Sequence, residues 1–193
     1  MGRKLVLAAS AVLVVLFSIA DSPPARADEP KPKASPEPGK DPSRSLQMPE
    51  SLRARHEDFH AEFTKATKER GKLGDAARAM EKLATAHFAK AKDAFAPLSL
   101  LPRLAGGKVT AAESAEAIKK AGQLLAGLPQ IRRDHAELVA GLKTMAEAAK
   151  EEAKADYARF AERLTLHIQE EEEVLYPAVL LVGEYLNQKA GKK

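Results

Sequence analysis

The sequence predicts an all-α fold, a helix bundle built from one duplicated helix pair. Three observations predict it. From Pro49 onward Ala, Lys, Glu and Leu dominate and β-branched residues are sparse, a composition suited to helices. Apolar residues recur at steps of three and four, the period of one helix face. Four of the five histidines repeat: His56 and His87 stand 31 residues apart, His135 and His167 stand 32 apart. Ten residues after the second histidine of each pair comes a proline, Pro97 or Pro177.

Residues 1–27 read as a signal peptide, not as part of the fold. Arg3 and Lys4 precede an almost unbroken apolar run from Leu5 to Ala20. Ala25-Arg26-Ala27 offers small residues at the two positions a signal peptidase reads, so cleavage is expected before Asp28. The run is close to the lower limit of about 17 residues for a membrane span, yet the small-residue site favours cleavage. No stable span is then expected in the mature chain, and the expected location is exported, in the periplasm. Residues 28–48 carry five prolines among many Lys, Glu and Ser, which predicts a disordered linker.

The bundle is expected over residues 49–186. Helix 1 opens at Pro49-Glu50 and runs to about Arg70, with Leu52, His56, Phe59 and Phe63 on one seam. Gly71 and Gly74 mark a turn, and Asp75 is the expected N-cap of helix 2. Met80, Leu83, His87, Ala91, Ala94 and Phe95 line that helix until Pro97 and Pro102 end it. Thr110 with Glu113 fits a capping box for a short extra helix between the halves, reaching Leu124 or Leu125. Gly127 and Pro129 then predict a break. Helix 3 carries Ile131, His135, Leu138, Leu142 and Met145. Helix 4, about Ala153 to Tyr176, carries Phe160, Leu164, His167, Glu171, Val174 and Leu175. After Pro177 a short apolar segment, Val179 to Leu186, is expected to cap the bundle end, and residues 187–193 form a Lys-rich frayed tail.

The halves align residue by residue. Leu52 matches Ile131, His56 matches His135, and Phe63 matches Leu142. Met80 then matches Phe160, His87 matches His167, and Phe95-Ala96-Pro97 matches Leu175-Tyr176-Pro177. This is a single duplication, not a repeat array.

Charge and composition exclude several function classes. The chain has 31 basic and 27 acidic residues, a formal charge of only +4, and loss of the leader lowers it further. Its basic residues lack interleaved aromatics, so no nucleic-acid partner is expected. No phosphate-binding loop and no nucleophile–base arrangement is present. The absence of cysteine excludes thiolate metal sites, iron–sulfur clusters and disulfides. Any metal must be held by imidazole, carboxylate, carbonyl or water, which suits iron, zinc, manganese or copper.

One buried histidine on an apolar seam is ordinarily a hydrogen-bonded core residue. Four at repeat-equivalent positions are harder to bury, because every ring nitrogen needs a partner. A metal satisfies one nitrogen per ring, and outer acceptors hold the other. Glu171 lies four residues after His167, one turn on and on the same helix face. Glu172 is a further candidate ligand; Glu170 and Glu173 read as a solvated face.

His56-Glu57-Asp58-Phe59, His87 with Phe95-Ala96-Pro97, Asp134-His135-Ala136-Glu137-Leu138 and His167-x3-Glu171-Glu172-Glu173-Val174-Leu175-Tyr176-Pro177 together resemble the hemerythrin-like, HHE cation-binding domain. The resemblance spans about Pro49 to Leu186, and its last stretch is the most specific. It implies an up-down four-helix bundle around a non-haem iron site whose members bind dioxygen, sense oxygen, nitric oxide or iron, or protect iron centres. It implies His56, His87, His135 and His167 as metal ligands, with Glu171 as a bridging carboxylate. The other bridging carboxylate would fall at Ala91 and is missing; His60, one turn after His56, is a candidate replacement or else a half-exposed surface histidine. The expected cofactor is iron, mononuclear or as an asymmetric di-iron pair, and zinc suits the same ligands. The expected function is binding or sensing of dioxygen, nitric oxide or peroxide by an exported metal protein. The alternatives are a degenerate metal-free bundle acting as a tethered interaction module for a protein partner, and a peroxidase-like oxidoreductase.

Overall fold

A computed structural model of the protein describes residues 45–191. The expected signal peptide, most of the expected linker and the last two residues lie outside the described residues. All regular structure among the described residues is helical. The helices are α1 (Glu50–Thr67), α2 (Lys72–Ala79), α3 (Glu81–Ala94), α4 (Leu101–Leu104), α5 (Ala111–Glu151), α6 (Ala155–Glu170) and α7 (Tyr176–Ala190). A 3-10 turn, Ala96–Leu100, carries Pro97 and joins α3 to α4. A π-helical turn, Glu171–Leu175, joins α6 to α7. Among the described residues no helix is long and apolar enough to cross a membrane.

α1 buries His56, Phe59, Phe63 and Ala66, the seam its spacing predicts. The expected helix 2 opens earlier than its local signal. Asp75 lies inside α2 and pairs with Arg78 at 2.6 Å instead of capping. Gly71, at φ +82, turns the chain, and the Leu73 N–H finds the Glu152 carboxylate at 3.3 Å. A carboxylate from the far end of α5 thus satisfies a donor that a local cap would otherwise take. Met80, with φ −107 and ψ 6, separates α2 from α3.

The break expected at Gly127-Pro129 does not occur. The Thr110–Glu113 capping box forms, but it opens one helix of 41 residues that runs through Pro129. The expected short extra helix is therefore the first part of α5. A proline inside a helix costs about 3 kcal/mol. The compensation is a seam that stays in phase across it: Ala117, Ala121, Leu124, Leu128, Ile131, His135, Leu138, Leu142 and Met145 step by three and four throughout. Leu125, whose carbonyl loses its α-helical donor at Pro129, is exposed.

Pro177 does not end its helix either. The π turn absorbs the missing N–H, and α7 continues for 15 residues against α5. Gly183 allows close approach there, since a Cβ at that position would sit 2.3 Å from the Ala121 Cβ. The helix reaches Ala190, so the expected frayed tail is ordered over most of its length. The expected linker is also shorter at its C-terminal end: Leu46 and Met48 are buried, and the Leu46 N–H donates to the Glu116 carboxylate at 3.1 Å.

Two apolar clusters position the site. One gathers Phe59, Phe63, Ala84, Phe88, Leu138, Leu142, Phe160, Leu164 and Ile168. The other gathers Met48, Ala91, Phe95, Ala121, Leu124, Tyr176 and Val179, with Leu52 and Ile131 against it. Each repeated histidine falls where its helix passes from one cluster to the other: His56 between Leu52 and Phe59, His87 between Ala84 and Ala91, His135 between Ile131 and Leu138, His167 between Leu164 and Tyr176. The polar groups form one layer between two apolar ones.

Candidate metal centre

His56, His87, His135, His167 and Glu171 are the buried polar and charged residues among those described, and they meet in that layer. Glu171 is fully buried at its centre. Its Oε1 faces His56 Nε2 at 3.0 Å and His167 Nε2 at 3.3 Å. Its Oε2 faces His135 Nε2 at 3.3 Å and His87 Nε2 at 3.6 Å. Tyr176 donates its hydroxyl to the same Oε2 at 3.0 Å. The carboxylate thus divides the cluster into two sides, each with two imidazoles.

Three rings are held from outside through Nδ1. His56 donates Nδ1–H to the Leu52 carbonyl at 2.8 Å, a contact one helical turn back. His135 Nδ1 meets the Glu172 carboxylate at 2.8 Å. His167 Nδ1 meets Glu170 at 3.3 Å, and Arg55 holds Glu170 from the other side at 2.6 Å. An outer acceptor on one nitrogen turns the other nitrogen inward and enriches its lone pair, as in metal-ligating histidines.

The inner face is short of positive charge in a specific way. With its outer nitrogen protonated, each of these rings needs a second proton or a cation to meet Glu171. Second protons would set like-charged rings beside each other, His56 and His167 with centroids 4.8 Å apart. His87 Nε2 has no hydrogen-bond partner at all among the described residues, although it is buried. A buried polar atom left unpaired costs about 1–3 kcal/mol. Donor atoms of His56, His87 and Glu171 all lie within 4.8 Å of one another, so these three residues could hold a metal ion. The orphaned nitrogen and the imidazole–carboxylate donor set both fit one.

Burial and charge act on these groups in opposite senses. Burial pulls His87 down to about 4, against a smaller upward pull from Glu171. Burial also pulls on His135, but hydrogen bonds to Glu171 and then Glu172 outweigh it and raise its pKa. Burial pushes Glu171 up, yet hydrogen bonds from His135, His167 and His56 outweigh it and hold the carboxyl well below its usual range. Burial, then the charge of Glu171, raises the Tyr176 phenol above its ordinary value.

A pH dependence follows for the metal-free protein. His87 is neutral when folded down to about pH 4, but titrates near 6.5 when unfolded. The unfolded state therefore gains protons first as pH falls, and His87 removes stability from pH 6.5 downward. Between pH 6.5 and about 4.5 this amounts to about 2 kcal/mol. His135 has the opposite sign, full stability below its unfolded value, so its contribution is constant in this window. The stability from Glu171 is lost only below its unfolded value of 4.5. Urea denaturation of chelator-treated protein is expected to show this acid limb, and His87→Leu to flatten it. An unchanged limb in the variant would show that His87 is not held neutral.

The structure brings together five of the seven residues expected as ligands. His60 is not among them: it is exposed, with its ring edge against Phe88 at 5.5 Å. It lines a surface cleft of about 320 Å³ with Arg53, His56, Phe88 and Lys92. Glu172 takes an outer place, behind His135, where its carboxylate meets the ring's Nδ1. Glu170, expected as a solvated residue, holds His167 in the same manner. Ala91, at the position where the resemblance would place the other bridging carboxylate, is buried. Sequence reasoning gave Tyr176 no place in the site. Its signal was present: a phenol following Glu171 by five residues, where the other half has Ala96. The chain matches no protein-family model, no curated protein and no solved structure.

Proposed function

We propose that this protein is an exported, hemerythrin-like metal-binding protein, an up-down four-helix bundle that holds non-haem iron and there binds or senses dioxygen, nitric oxide or peroxide. One observation carries the reading: four buried imidazoles converge on one buried carboxylate, with His87 Nε2 left unpaired. The residue pattern from His56 to Pro177 supplies the family likeness. His56, His87, His135 and His167 would bind through their inward nitrogens, and Glu171 would use one oxygen on each side. Leu52, Glu170 and Glu172 orient three of the rings. Phe59, Phe88 and Phe95 pack their rings against His167, His87 and His56. A surface cleft of about 320 Å³, lined in part by His56, would be the route for a small ligand. Iron in such a site supplies an open coordination position and one-electron redox chemistry.

The test is nitric oxide titration of protein loaded with ferrous iron under anaerobic conditions. The reading expects a new visible absorption that saturates in proportion to bound iron. Iron that stays bound but responds to neither nitric oxide, dioxygen nor peroxide would leave the site structural and refute gas handling. Export is tested separately, by N-terminal sequencing of the protein from its natural host, with Asp28 expected first.

A further inference from the structure

The duplication is unequal in its oxygen donors. Where the second half has Glu171 and Tyr176, the first has Ala91 and Ala96, both buried. Both oxygen donors of the cluster therefore come from one helical run.

The π turn makes this arrangement. In an α-helix, residues five apart point about 140° away from each other round the axis. Here the Tyr176 N–H donates to the Glu171 carbonyl five residues back, and the wider turn returns Tyr176 to the face of Glu171. The phenol oxygen then lies 3.0 Å from Glu171 Oε2 and 3.4 Å from His135 Nε2. Phe95 stacks on the ring at 5.2 Å and 14°, which fixes its direction. Ala91 belongs to the same apolar cluster as Tyr176 and Phe95, so the missing carboxylate and the phenol share one neighbourhood.

The Oε2 side of Glu171 consequently gathers two imidazoles, a carboxylate oxygen and a phenol oxygen; the Oε1 side gathers two imidazoles and a carboxylate oxygen. We propose that Tyr176 is itself a metal ligand, its phenol oxygen supplying on the His87–His135 side the anionic donor that Ala91 does not. Coordination replaces the hydroxyl proton, which leaves to solvent, and frees Glu171 Oε2 from its hydrogen bond. The inference rests on the metal reading above and makes the two sides chemically unlike.

Its test is spectroscopic. The full chain is loaded anaerobically with ferrous iron, oxidised with ferricyanide, desalted and assayed for iron. The expected result is a broad phenolate-to-ferric charge-transfer band, whose resonance Raman spectrum shows tyrosine ring modes. Tyr176→Phe is expected to lose the band while keeping its iron. Tyr157 and Tyr185 are no substitutes, since Tyr157 donates to Glu69 and Tyr185 is exposed. If the variant folds poorly, ring-deuterated tyrosine in the parent chain decides, because only a coordinated phenolate contributes ring modes to the spectrum excited in that band, and those modes must then shift. Bound iron without the band, or a band that survives Tyr176→Phe, would reduce Tyr176 to a hydrogen-bond donor and overturn the inference alone. Failure of the parent to bind iron would overturn the metal reading with it.

Discussion

Glu171→Gln is expected to weaken metal affinity by more than about 100-fold, beyond what loss of an outer partner of a ligand costs. The substitution keeps the volume and removes the charge. In the native protein both carboxylate oxygens face imidazoles and one also accepts from Tyr176. A glutamine offers one acceptor oxygen and no negative charge to a cation, or to a second proton on the rings, at the centre of the cluster. Breaking a buried charged pair of this kind costs about 3–5 kcal/mol. The metal-free variant should therefore also melt below the parent. Metal at about 1,000 times its Kd stabilises a folded protein by about 4 kcal/mol, so the parent should rise in Tm on loading and the variant should not. Glu173→Gln, exposed on the same π turn, is the control and should behave as the parent does. Calorimetric scans with and without ferrous iron read both effects.

Phe160→Ala is expected to destabilise the fold by about 3–5 kcal/mol, the usual cost of emptying a buried aromatic position. Phe160 is 1% exposed on α6. Its ring packs on Phe59 at 6.3 Å, and Phe59 lies 5.0 Å from the His167 ring. The variant should lose roughly 10 °C in Tm. Its metal affinity should fall far less than that of Glu171→Gln, because no donor is removed and only the support behind His167 is loosened. Leu166→Ala on the same helix, at an exposed position, should change stability by less than about 0.5 kcal/mol. A Phe160 variant as stable as the parent would mean that this layer of the core is not packed as described.

The parts of the site that were legible in the sequence are those that helical period alone determines. His56, Phe59 and Phe63 share a face because they are spaced by three and four, and the same holds for His167 and Glu171. Repetition of the pattern put His87 and His135 at the same depth, and both are buried. His60 obeys the same spacing yet lies outside, since a four-residue step drifts by about 40° round the helix and His56 already sits near the seam's edge. Glu172, five residues after His167, lies off the face that His167 shares with Glu171 and meets His135 from outside, and Tyr176 was not expected in the site because only the π turn returns it to the face of Glu171. The turn lies directly before Pro177 and accommodates it, a local change of period that α-helical spacing does not display.

Helix limits failed where tertiary contacts overrode local signals. Asp75 is a good N-cap by residue type, but Glu152, 79 residues from Leu73, supplies the acceptor. Pro129 is a strong breaker, but an apolar seam in phase on both sides keeps α5 whole. That phase was readable from Ala117 to Met145, and it outweighed the proline. Leu46 and Met48 are the two large apolar side chains of residues 28–48, and their burial is what an average over that stretch conceals.

Metal stoichiometry tests the central claim most directly. The full chain, prepared without an affinity tag, is stripped with chelator, equilibrated anaerobically with ferrous iron, passed through gel filtration and assayed for metal. The buried His/Glu cluster predicts that about one equivalent or more stays with the parent and is lost in Glu171→Gln. Retention below about a tenth of an equivalent by the parent, for iron and for zinc alike, would contradict it.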